Sequence, residues 1–175
     1  MAYRAGVLTV SDAGARGERQ DTAGPAVASL LASAGFEVVE RALLPDEPEE
    51  IAALLRRWTD TDDLALAVTT GGTGLSPRDR TPQATEGVID YRVPGLEEAM
   101  RAASIALVPA AMLSRGVAGV RGRTLILNLP GSERGARENL VVVLPVLEHA
   151  CALLRERTDE AAEAHRRLQQ PEGRA

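Results

Sequence analysis

Two aspartates and a glycine-rich run are the first residues with chemical promise. The run is Thr69-Thr70-Gly71-Gly72-Thr73-Gly74, three glycines and three threonines at the end of an apolar segment. Glycines let backbone N–H groups approach an anion closely, and threonine hydroxyls add donors. Asp79 follows within Ser76-Pro77-Arg78-Asp79-Arg80, and Asp46 stands beside Glu47 in another loop. Two carboxylates beside a phosphate cradle can hold Mg²⁺, which binds through one or two carboxylates plus substrate oxygens. A tight turn needing positive φ accounts for the glycines equally well, and the spacing is not the G-x-G-x-x-G of a dinucleotide site. Taken singly, each aspartate is also explained as a turn or capping residue.

Three further groups have the right chemistry. Ser11-Asp12 and Asp21 can bond the base or sugar hydroxyls of a ligand, or act as turn and capping residues. Ser114-Arg115 offers a hydroxyl and a guanidinium, a good bidentate partner for phosphate, with a solvated arginine as the alternative. Asn128 and Pro130-Gly131-Ser132 precede a helix, whose free N–H groups favour an anion, although a plain N-cap explains them too. Glu97 and Glu98 read as the polar face of their helix. Trp58 reads as core, and His149 and His165 as surface or satisfied helix residues.

These residues need a scaffold that brings separate loops together. Alternating or continuous apolar runs predict strands over 5–10, 36–44, 64–70 and 124–129, with an edge strand at 117–120. Apolar residues at helical spacing predict helices carrying Val27, Leu30, Leu31 and Ala34, then Ile51, Leu54, Leu55 and Trp58, then Leu147, Ala150, Cys151 and Leu154. Residues 82–90 and 95–113 also read as helical. Such alternation predicts an α/β sandwich with a mostly parallel sheet, in which ligands gather at the carboxyl ends of the strands. Four polar loops leave strands at 11–24, 45–48, 70–82 and 130–132. Sharing one edge, they would make one site.

Composition narrows the choices. With 175 residues, 45% hydrophobic and 26% charged, the chain suits one domain, expected over 1–157, with a polar tail over 158–175 that is either a loosely held helix or disorder. The net charge of −5 argues against nucleic acid as a main partner. All 20 basic residues are arginine, which removes a phosphate-loop lysine and Schiff-base chemistry. Cys151 is the only cysteine, and with two histidines it is too little for a disulfide or a structural zinc site. Apolar runs stop short of the roughly 18–20 residues of a membrane span. Met1 to Val10 carry no export pattern, so the expected location is cytoplasmic.

As a set, the residues resemble the molybdopterin-binding Mog/MoaB family, whose relatives include the gephyrin G domain. The resemblance rests on Val10-Ser11-Asp12, Pro45-Asp46-Glu47, Thr69 through Gly74 on to Pro77-Arg78-Asp79, Thr81-Pro82, Pro94-Gly95, Leu113-Ser114-Arg115 and Asn128-Leu129-Pro130-Gly131. It runs in order from about residue 4 to residue 155. It implies a three-layer α/β/α sandwich, a homotrimer or hexamer, and adenylyl transfer from Mg-ATP to molybdopterin with release of pyrophosphate. It also implies handover to a molybdenum-insertion protein. By motif, Asp46 and Asp79 would be the catalytic and metal-holding residues. Thr69, Thr70, Gly71, Gly72, Thr73 and Gly74, with Ser11, Asp12, Ser114, Arg115, Pro130, Gly131 and Ser132, would bind substrate. Family members often have proline after Pro-Gly-Ser, where this chain has Glu133. A non-catalytic molybdopterin carrier or scaffold, and a generic nucleotide-binding protein, are the competing readings.

Overall fold

Four of the five expected strands lie side by side and parallel. The computed structural model describes residues 2–169. Its sheet contains β1 (Arg4–Val10), β2 (Glu37–Leu44), β3 (Leu66–Thr70), β4 (Tyr91–Arg92), β5 (Ala118–Arg121) and β6 (Thr124–Leu129), in the order β2-β1-β3-β6-β5-β4. β2, β1, β3 and β6 run parallel. β5 turns back antiparallel to β6, and β4 is antiparallel to β5.

Side chains alternate across the sheet, as strand geometry requires. Val7, Val68 and Leu127 enter one core, where Val27, Leu31, Met100, Leu140 and Leu147 meet them. Those residues belong to α2 (Ala23–Ser33), α5 (Pro94–Ile105) and α6 (Glu133–Leu154). Leu8, Ala67 and Ile126 enter the other core, covered by Ile51, Leu55, Trp58 and Ala84. Here the cover is α3 (Pro48–Arg56), a π-helical turn at Arg57–Thr61 and α4 (Thr81–Glu86). Each fully buried large side chain contributes about 1.5–3 kcal/mol. The result is the expected three-layer sandwich.

Several elements differ from expectation. The helix expected over 82–90 stops at Glu86, before Gly87. The one expected over 95–113 ends at Ile105 and yields to a 3-10 turn at Pro109–Leu113, because Pro109 cannot donate to a continuing helix. A short helix, α1 (Asp12–Ala15), interrupts the first loop, with Ser11 Oγ accepting from Gly14 N at 3.1 Å. Glu97 is buried rather than on a polar face, accepting from Arg92 Nη2 at 2.6 Å and from the Ala118 amide at 3.0 Å. Of the two readings for the tail, residues 158–169 form a helix, α7 (Thr158–Gln169), with Ala161 and Ala164 buried. Tyr3 donates its hydroxyl to Glu160 at 2.6 Å. Residues 170–175 of that tail lie outside the described residues.

Register decides where the loops go. Val10 lies opposite Leu44, Thr9 opposite Thr70, and Thr70 opposite Leu129. The carboxyl ends of β1, β2, β3 and β6 therefore finish level, and the four polar loops share one edge.

Candidate functional site

Backbone conformation sets the centre of this edge. Gly71 has φ +105, and a Cβ there would lie 2.1 Å from Val10 O. Gly72 has φ +63, and its Cβ would lie 2.3 Å from Thr81 Oγ1 and 2.8 Å from Asp46 Oδ1. Left-handed φ and close approach both demand glycine. A Cβ on Gly131 would be 3.1 Å from Gly71 Cα, so the loops after β3 and β6 touch as a glycine ridge. A polar cleft here is lined by Ser11, Arg19, Asp21, Asp46, Gly72 and Asp79. A more apolar cleft is lined by Met100, Arg101, Val108, Leu113, Ser114 and Arg134. Ser132 borders both.

The carboxylates are held in a chain of contacts. Asp46 is 8% exposed. Its Oδ2 accepts from the Asp12 amide at 3.1 Å, while its own amide donates to Asp12 Oδ1 at 3.0 Å. Asp46 Oδ1 is buried with no partner among the described residues. Burial holds the Asp46 carboxyl above the usual carboxylate range; the Asp12 amide opposes this, and the charges of Asp12 and Asp79 reinforce it. Arg78 grips Asp12 with two nitrogens at 2.9 Å and reaches Glu47 Oε1 at 2.8 Å. That hydrogen bonding, with the Asp46 amide, lowers the Asp12 carboxyl to about 2. Arg78 thus ties three strand-end loops together, and the Asp12 carboxylate is engaged by protein partners. Asp79 closes a tight turn, its Oδ2 accepting from Ser76 N at 3.0 Å.

The remaining sequence-read residues divide between lining and bracing. Thr69 Oγ1 accepts from Asn128 Nδ2 at 3.0 Å and Thr70 Oγ1 donates to Pro130 O at 2.6 Å, both hydroxyls tying β3 to β6. Arg115 donates to Gly74 O at 2.8 Å and Asp79 O at 2.5 Å, bracing the glycine loop. Thr73, Gly74, Ser114 and Pro130 line the apolar cleft. Gly71 and Gly131 line the polar one. Ser132 caps α6, its Oγ accepting from Gly135 N at 3.1 Å. Sequence reading missed Arg19, Arg134 and Asn139, and gave Arg101 no role. Helical spacing shows that a residue is polar, not which helix turns it toward the loops.

Comparison with known proteins bears directly on this edge. Residues 6–149 match the family model described as a probable molybdopterin binding domain. The chain belongs to this molybdopterin-binding family. Among relatives of that family, the molybdopterin adenylyltransferase of Helicobacter pylori (strain 26695) is 39% identical over 151 residues, covering 85% of this chain and 86% of the relative. That of Escherichia coli K12 is 43% identical over 140 residues, covering 78% and 71%. The crystal structure of the molybdopterin biosynthesis enzyme MoaB from Thermus thermophilus superposes with a TM-score of 0.84 at 58% identity, covering 88% of this chain and 97% of that one. This chain spans 24% of the length of Dictyostelium discoideum gephyrin, to which it is 38% identical. It spans 28% of the Drosophila molybdenum cofactor synthesis protein cinnamon.

The Mg²⁺ that the resemblance implies can be tested against these atoms. No cluster of three or more metal-ligating His, Cys, Asp or Glu side chains occurs among the described residues. A cation here would lean on substrate oxygens, as Mg²⁺ does. Asp46 and Asp79 both line the polar cleft and offer hard oxygen ligands there. The donor set fits Mg²⁺.

Proposed function

We propose that this chain is a molybdopterin adenylyltransferase of molybdenum cofactor biosynthesis, moving AMP from Mg-ATP to the molybdopterin phosphate and releasing pyrophosphate. The observation that carries the reading is the pair of clefts, unlike in polarity, that share Ser132. Two substrates that must exchange a phosphoryl-linked group need that arrangement. The relatives named molybdopterin adenylyltransferase support the chemistry.

In this reading the flat pterin lies against Met100, Val108 and Leu113, with Arg101 and Arg134 near its anionic end. The triphosphate enters the polar cleft beside Arg19. Gly71 and Gly72 let phosphate oxygens come close to the backbone, and the N-terminus of α6 at Ser132 favours negative charge. A molybdopterin phosphate oxygen forms a bond to the α-phosphorus, the bond from that phosphorus to the pyrophosphate oxygen breaks, and pyrophosphate leaves. Asp46 and Asp79 would hold Mg²⁺, which supplies charge neutralisation on the departing oxygens. Arg78 and Arg115 keep the loops in register. No protein nucleophile is required. Cys151 is buried, and burial pushes its thiol up to about 12.

The test is product detection from the purified chain with molybdopterin and Mg-ATP, alongside Asp79→Asn. Adenylylated molybdopterin and pyrophosphate are expected from the wild type alone. Tight molybdopterin binding with no product would make the chain a carrier, and ATP binding without molybdopterin binding would make it a different nucleotide protein. The reading extends to a homotrimer or hexamer in the cytoplasm, delivering product to a molybdenum-insertion protein. Exposed Leu107, Val141 and Val142 line a shallow apolar groove, and Val108, Met112 and Leu113 are exposed beside it in sequence. Sedimentation showing only monomer at micromolar concentration would remove the trimer. No helix among the described residues is long and apolar enough to cross a membrane.

A further inference from the structure

Asn139 lies in the second turn of α6, is 6% exposed and lines the apolar cleft. Two hydrogen bonds fix its amide. Nδ2 donates to Gly135 O, one turn earlier, at 2.8 Å and to Ser104 Oγ of α5 at 2.8 Å. A carbonyl oxygen only accepts, so the NH₂ must face Gly135 and Oδ1 must face away from it. Oδ1 accepts from no group among the described residues, yet it is not one of the sealed, partnerless polar atoms, which are Asp46 Oδ1, Thr81 Oγ1, Trp58 Nε1 and Arg155 Nε. It is therefore open to solvent, and the cleft that Asn139 lines is the apolar one.

Packing does not ask for an amide here. Leucine has nearly the same shape, favours helix more strongly and desolvates no polar group. Ser104 completes the picture. Its Oγ accepts from Asn139, which leaves its own proton for a different acceptor, and it lines the same cleft. Between walls that include Met100, Val108 and Leu113, the two side chains thus present an acceptor beside a donor. Ser132, which borders both clefts, caps the same helix two turns earlier, about 10 Å along its axis. A pyranopterin whose phosphate lies near Ser132 reaches that far with the pyrimidine edge of its ring.

We infer that Asn139 Oδ1 and Ser104 Oγ read the pyrimidine edge of the bound pterin, Oδ1 accepting from an N–H and Oγ donating to the neighbouring lone pair. This rests on the adenylyltransferase reading and adds the residues that select the ring. A 2-amino-4-oxopyrimidine offers an N–H beside a lone pair twice along its edge. Adenine offers the same pattern, and asparagine reads it in nucleic acids. The pterin is the occupant here because the other cleft carries Arg19, Asp46 and Asp79, which suit a triphosphate and its cation. A heterocycle without this edge would leave both protein groups unpaired, and a site built to hydrogen-bond its ligand rejects such an analogue strongly.

The test is anaerobic fluorescence titration of the full chain with molybdopterin in the absence of ATP, beside a calorimetric titration with Mg-ATP. Asn139→Leu should weaken molybdopterin binding by about tenfold or more and leave Mg-ATP binding unchanged. Ser104→Ala should weaken molybdopterin binding by about threefold to tenfold, and Ser104→Thr should restore it. Melting curves establish that the variants fold, and the half-buried Ser104 carries the test if Asn139→Leu does not. Wild-type molybdopterin affinity in Asn139→Leu and Ser104→Ala overturns the inference and leaves the adenylyltransferase reading standing. Loss of Mg-ATP binding with molybdopterin binding intact also overturns it, and puts adenine in this cleft. A wild type that binds no molybdopterin overturns both the inference and the reading beneath it.

Discussion

Asparagine in place of Asp46 should give a protein that is more stable and cannot turn over. The wild-type carboxylate is buried, one of its oxygens is satisfied by the Asp12 amide, and the other has no partner. Asparagine can keep the acceptor for that amide and removes a charge that burial and the neighbouring Asp12 and Asp79 disfavour. Relief of a buried, unpartnered carboxylate oxygen gives about 2 kcal/mol. For a domain of this size that raises the melting temperature by about 4–8 °C. The sign with pH follows from linkage. Because burial raises the Asp46 carboxyl above its usual 3.8, the folded state holds the proton more tightly than the unfolded state. Wild-type stability therefore falls as pH rises through the folded value. The advantage of asparagine is full at neutral pH and shrinks as pH falls toward 3.8, where Asp46 is itself neutral. Calorimetry of both proteins at neutral and acid pH measures this. An asparagine variant that melts below the wild type at neutral pH, or keeps the same advantage at both, would refute the reasoning.

Three other outcomes are expected. Gly72→Ala should lower the melting temperature, since a left-handed alanine costs about 1–2 kcal/mol and its methyl would crowd Thr81 and Asp46. Arg78→Gln should scarcely change the melting temperature, because its ion pairs are at the surface, yet raise KM for ATP; carboxyl NMR should show Asp12 moving from about 2 toward 3.8. Cys151 should resist thiol reagents in the native protein and react fully once denatured, since the thiol is buried and pushed up to about 12.

The sheet was legible because its strands are short and apolar, and the loops between them carry glycine, proline and aspartate. The shared loop edge followed from parallel connectivity alone. Side-chain roles within it did not. Arg115 reads as a phosphate ligand until the Gly74 and Asp79 carbonyls are seen to accept from it. Asp12 reads as a ligand until Arg78, which is 66 residues away, closes on it. The burial of Glu97 depends on an edge strand of two residues, β4, too short to leave a pattern. α7 leaves only a weak pattern, since its buried positions, Ala161 and Ala164, are small and the helix around them is polar.

The pairing of two clefts has a kinetic consequence. Their linings share only Ser132, so neither substrate must leave before the other enters. Initial-rate plots should therefore intersect, as for a ternary complex. Exchange of labelled pyrophosphate into ATP should require the pterin to be present, because no histidine, lysine or cysteine among the described residues lines either cleft to carry an adenylyl group.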